Sequence, residues 1–102
     1  MKGNSVLTSK IESEIGLLQR HVKMLKAIMD NEPIGIIRLS ELLNFPQHKV
    51  RYSLRILEQE GLIHPSPDGA VTTDKLRAFM EHLKVILDDM EKTVKELKSQ
   101  LD

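Results

Sequence analysis

Apolar residues fall into two long seams at the ends of the chain, with a differently patterned stretch between them. Over residues 6–30, Ile11, Ile15, Leu18, Val22, Leu25 and Met29 recur at alternating steps of four and three, the spacing of one face of an α-helix. Gly16 is a weak point inside that helix, costing about 1 kcal/mol relative to alanine unless it admits a second helix closely. Asn31-Glu32-Pro33 ends the helix, because a proline biases the residue before it away from the α region. At the other end Leu76, Met80, Leu83, Leu87, Met90, Val94, Leu97 and Leu101 keep the same alternation and predict a helix over residues 73–101. A helix of about 28 residues runs about 42 Å, longer than so small a domain needs. Phe79 and Ile86 widen its seam at first, and beyond Met90 the seam narrows, with Thr93 and Gln100 alongside. That narrowing predicts a helix that packs on its own domain and then leaves it to meet a partner.

The stretch between the seams breaks into shorter elements. Residues 35–43 predict a helix largely buried through Ile36, Ile37, Leu39, Leu42 and Leu43. Asn44 stands where a helix end accepts the left-handed conformation, Phe45 is expected to plug the turn, and Pro46 opens the next helix. Residues 47–60 form that helix and Gly61 stops it. At about 100° per residue, Val50, Leu54, Leu57 and Gly61 share a narrow arc as its core face. His48, Tyr52, Arg55 and Gln59 face the other way, flanked by Lys49 and Arg51. Residues 62–64 and 70–72 predict two short strands joined through Pro65-Ser66-Pro67-Asp68-Gly69. Thr72 or Thr73 is expected to cap the last helix, with Asp74 near its positive end. The polar residues 1–5 are expected to fray.

Helix, three-residue turn, helix and hairpin, in that order, describe a helix-turn-helix with a wing. The expected fold is mainly α with a small β-hairpin wing. The winged helix-turn-helix occupies residues 33–72, flanked by long N- and C-terminal helices at 1–32 and 73–102, the latter coiled-coil-like. The 102 residues suit one small domain. Its only aromatics are Phe45, Tyr52 and Phe79, so the core must come from Leu, Ile, Val and Met, with the five methionines as filler. No cysteine is present, which excludes disulfides and thiolate metal sites. With no apolar run of membrane-spanning length and no apolar N-terminal block, the expected location is cytoplasmic and no membrane partner is expected.

Zero formal net charge changes the picture, because a nucleic-acid-binding chain usually carries a basic footprint. Here the charges segregate. Residues 44–57 hold Lys49, Arg51 and Arg55 and no acid, while Glu58 and Glu60 come only in the last helical turn. In a helix-turn-helix the N-terminal residues of the second helix reach base edges, which makes Gln47, His48, Arg51 and Tyr52 the candidates for groove contacts. Arg51 or Arg55 suits guanine O6 and N7, and Gln47 suits adenine. Lys49 suits phosphate, and His64 and Lys75, beside the wing, are placed to reach a neighbouring backbone. A neutral chain predicts modest affinity for double-stranded DNA unless two copies act together. The seams supply the means: Ile11, Ile15, Leu18, Leu83, Leu87, Met90, Val94 and Leu97 are the expected homodimer contacts. An antiparallel pairing of the terminal helices within one chain would satisfy the same pattern. Two recognition helices about 34 Å apart would read a pseudo-palindrome.

Leu42-Leu43, Val50, Leu54, Leu57-Glu58, Gly61-Leu62-Ile63 and Val71-Thr72-Thr73 carry a family resemblance. Residues 39–73 resemble the winged helix-turn-helix of MarR-like and ArsR-like regulators. The whole chain resembles small archaeal predicted transcriptional regulators with a long helix after the wing, a likeness covering about two thirds of the chain. Two departures stand out: Pro46 replaces the usual Ser or Thr cap, and the hairpin tip lacks the Arg or Lys of long wings. The resemblance therefore implies a recognition helix more than wing contacts. His21, His48, His64 and His82 are scattered, Asp88-Asp89 with Glu91 reads as a solvated face, and no phosphate loop or nucleophile motif occurs. The sequence predicts no enzyme, cofactor or metal, and no effector pocket is legible. A sequence-specific, homodimeric DNA-binding transcriptional regulator is the expected function, with a winged helix that joins a protein assembly as the alternative.

Overall fold

A computed structural model describes residues 5–102. Residues 1–4, expected to fray, lie outside the described residues. Ser5, expected to fray with them, instead caps α1 (Val6–Asn31): its hydroxyl accepts the Thr8 N–H at 3.3 Å. After α1 come α2 (Ile36–Leu43), α3 (Gln47–Gln59), β1 (Ile63–Ser66), β2 (Gly69–Thr72) and α4 (Leu76–Gln100). The fold is the expected one, helical with a small antiparallel hairpin.

Side-chain placement departs from the sequence reading in several respects. In α1 the buried residues are Met24, Leu25, Ala27 and Ile28, while Ile11, Ile15, Val22 and Met29 of the seam face solvent. The helix therefore has two apolar stripes, and mostly the one outside the four-three seam holds it to its own body. In α2 only Leu39 is fully buried, and Ile37 and Leu42 are exposed, contrary to the buried helix expected. Eight residues present one stripe to the core, Ile36, Leu39 and Leu43, and the other two apolar positions fall off it. In α3 the buried face is Val50, Ser53 and Leu57, with Leu54 only half-buried. Of the four described methionines, Met24 is buried and Met80 packs on the core, whereas Met29 and Met90 are exposed.

The connections follow backbone chemistry. Asn44 adopts the left-handed conformation at φ 57°, and the Phe45 N–H returns to the Ser40 carbonyl at 3.2 Å. Phe45 packs against the core from the turn. Gly61, at φ 75°, closes α3: its N–H reaches the Glu58 carbonyl and the Leu62 N–H reaches that of Leu57, both at 3.0 Å. The hairpin is longer and its turn shorter than expected, since Ser66 pairs with Gly69 and leaves Pro67-Asp68 as a two-residue loop. Ile34 bridges to Ala70 through two backbone hydrogen bonds of 3.2 and 2.8 Å. Gly69, at φ 132°, lies against that segment, and a Cβ there would come within 2.5 Å of the Ile34 backbone. Glu32 accepts from the Thr72 N–H at 2.7 Å and from its hydroxyl at 3.0 Å, fastening the wing to the α1–α2 link. Thr73 ties α4 to α3: its hydroxyl donates to the Gly61 carbonyl at 2.6 Å and accepts the Lys75 N–H at 3.3 Å. Asp74 sits ahead of the helix, whose first turn holds no acid.

α4 packs on the body through Leu76, Phe79 and Met80, with Leu83 and Ile86 half-buried; from Leu87 onward every residue is exposed. The molecule is 54 Å long, with a radius of gyration of 16.0 Å, where about 13 Å is usual for 100 residues.

Candidate nucleic-acid interface

Val50, Ser53 and Leu57 turn α3 so that Gln47, His48, Lys49, Arg51 and Arg55 stay exposed. Burying Val50 and Leu57 stabilises that orientation by about 1.5–3 kcal/mol each. Arg51 lies on a ridge between two depressions. One, of about 450 Å³ on the α1 side, is lined by Arg20, His48, Lys49, Arg51, Tyr52 and Arg55. The other, of about 440 Å³, is lined by Gln47, Arg51, Arg38 and residues 35–37, where the first N–H groups of α2 lack partners within the helix. No acid lines either one. Among the described residues the only ion pair is Lys26–Asp30 at 3.9 Å, so Arg20, Arg38, Lys49, Arg51 and Arg55 have no carboxylate partner. Five uncompensated cations around one helix make a field that attracts an anion, despite the neutral total.

Beneath this surface lies a polar latch between α1 and α3. The Ser53 hydroxyl is fully buried and accepts the Arg20 Nε–H at 3.0 Å. It lies 2.9 Å from His21 Nδ1, which accepts its proton when the imidazole is neutral. Burial first, and the Arg20 charge second, hold the His21 pKa below its ordinary value and favour that neutral form. The Tyr52 ring stacks on His21, centroids 6.2 Å apart, and the Arg20 guanidinium stands 6.0 Å from its centre. Tyr52, expected to be free for groove contacts, is thus engaged by α1 while still 42% exposed.

The structure brings Gln47, His48, Lys49, Arg51, Tyr52 and Arg55 together on one surface. His64 and Lys75 line neither depression. His64 is exposed on β1, its Nδ1 3.2 Å from the Pro65 carbonyl, and the Lys75 side chain crosses Gly61 at the far end of α3. One helix of 13 residues, about 20 Å, separates Lys75 from Gln47. Sequence reasoning missed Arg20, Arg38 and Ser53. Arg20 and Ser53 are 33 positions apart, and no local pattern announces such a pair. Of the expected dimer contacts, Ile11, Ile15, Leu87, Met90, Val94 and Leu97 are exposed, and Leu18 and Leu83 are half-buried.

Neither protein-family models nor curated proteins match the sequence. Among solved structures the chain is similar to the activation domain of the phage T4 transcription factor MotA. The TM-score is 0.55 at 18% identity, covering 76% of this chain and 80% of that one. The likeness shows a fold shared with a transcription-factor domain.

Proposed function

We propose that the protein is a transcriptional regulator that binds double-stranded DNA as a homodimer, with α3 in the major groove. The observation that carries this reading is the exposed face of α3, where Arg51 stands between a depression lined by His48 and Arg55 and another lined by Gln47, with cations and no acid in either lining. A ridge that enters a groove needs positive charge on both shoulders, where the two phosphodiester strands pass. Lys49 and Arg38 supply it, and Gln47, His48 and Arg51 read base edges. Dimerisation through Ile11, Ile15, Leu18, Leu83, Leu87, Met90, Val94 and Leu97 adds a second ridge and offsets the neutral net charge. With this reading go a MarR-like or ArsR-like mode of action and a cytoplasmic location, both part of the proposal, and we assign the protein no catalytic role.

A second reading, a protein-interaction module, is favoured by zero net charge and by the structural neighbour being an activation domain. Selection from random duplex pools, followed by titration at low and high salt, separates the two. Enriched sequences with a steep salt slope support DNA binding, and no binding at about 50 mM salt removes it. Arg51→Ala is expected to lose about 1–3 kcal/mol and relax the preference at one base position. Equal loss on all duplexes would demote Arg51 to a phosphate contact.

A further inference from the structure

We propose that Arg20, carried by α1, is a phosphate-backbone anchor of this interface, with Tyr52 serving as its platform. The inference rests on the duplex-binding reading above and extends the surface beyond the helix-turn-helix.

Arg20 is held before any ligand arrives. Its Nε–H is fixed by Ser53, which is fully buried, and its guanidinium stands over the Tyr52 ring. Holding a long side chain in one rotamer removes most of the ordering cost of a later contact. With Nε engaged, the Nη1 and Nη2 ends keep four N–H donors, and nothing else among the described residues bonds to them. Arg20 lines the same depression as His48, Lys49, Arg51 and Arg55. A guanidinium edge with paired donors matches two phosphate oxygens, and Ser53 needs no such edge, since His21 already partners its hydroxyl. The engagement of Tyr52 on both His21 and Arg20 assigns its ring to holding this fork, not to a base. Lys23 and Lys49 continue the positive lining beyond Arg20, in a depression between α1 and the turn, so a backbone strand leaving the ridge meets cations on α1.

The test is fluorescence-anisotropy titration of wild type, Arg20→Gln, Arg20→Lys and Ser53→Ala against a selected and a scrambled duplex over a range of salt. Thermal melts of each variant serve as the fold control. Arg20→Gln is expected to weaken binding roughly 3- to 10-fold on both duplexes and to reduce the log K against log salt slope by about one. The ratio between duplexes should not change. Arg20→Lys keeps the charge, so it should retain the slope while losing affinity. Ser53→Ala, which removes the Arg20 tether and the His21 hydrogen bond but no charge, should also retain the slope. A wild-type slope in Arg20→Gln overturns the anchor while leaving DNA binding intact. Equal slope losses in Ser53→Ala and Arg20→Gln would show a packing role and overturn it too, as would a loss confined to the selected duplex. If wild type binds neither duplex but binds polyglutamate, the duplex-binding reading fails, and the anchor with it.

Discussion

Ser53 shows how much one hydroxyl can organise. A buried hydroxyl without partners costs about 1–3 kcal/mol, so its place in the α1–α3 interface holds only while Arg20 and His21 reach it. His21 makes that contact sensitive to acid. Its pKa in the folded chain lies below the value of about 6.5 it has when unfolded, because burial and then the neighbouring Arg20 oppose the imidazolium. The unfolded chain therefore takes up the proton first. Stability is full above about pH 6.5 and falls as pH drops through the folded value. Urea unfolding should show the midpoint moving down as pH falls below about 6.5 at constant m, and His21→Gln should flatten that trend. Parallel curves for the two proteins would assign the acid sensitivity to other groups. The same substitution frees one side of Tyr52, so its melting curve needs comparing at neutral pH first.

At the level of elements, helix ends were legible because the residues that make them act through their own backbone. Pro33, Asn44, Pro46 and Gly61 each terminate or open a helix where the sequence reading put the boundary. Which stripe of a helix meets the core was not legible, because two apolar stripes compete in α1 and the four-three seam gave no sign of losing. Ser53 was missed for a related reason: its burial depends on Arg20 and His21 arriving from another helix. Arg20 and Arg38 were missed because spacing along α3 cannot report what α1 and α2 bring beside it. Gly16 separates propensity from packing. Nothing lies within 4 Å of the Cβ it lacks, and it falls one position past Ile15, off the seam. Gly16→Ala should therefore stabilise α1 by about 1 kcal/mol, raising Tm by roughly 4–8 °C. Sedimentation mass should not change. A drop in Tm would mean that another chain approaches α1 at this glycine.

The whole molecule leaves unfinished what its elements begin. A single chain exposes Ile11 and Ile15 on α1, and Leu87, Met90, Val94 and Leu97 on α4, each 42–59% accessible. The intramolecular pairing that would have covered both seams does not form. α4 contributes only its first half to the body, and every residue of its second half is exposed. Regularly spaced apolar stripes left in water are the kind of surface that marks an interaction site. The proposed second copy would answer both the exposed seams and the neutral net charge, since linking two recognition helices would turn the second contact into an intramolecular one. Leu87→Glu combined with Val94→Glu should therefore lower the sedimentation mass from about twice 11.7 kDa to the monomer value. Helical content should persist, because both residues are exposed in the single chain and support no fold contact of their own. Affinity for a two-half-site duplex should fall about 10²-fold or more, while affinity for a single half-site changes little. That asymmetry tests the proposal, because charge repulsion between the new glutamates and phosphate would weaken both duplexes alike. Wild-type protein sedimenting as a monomer at the concentrations where it binds would leave the seams without their assigned partner.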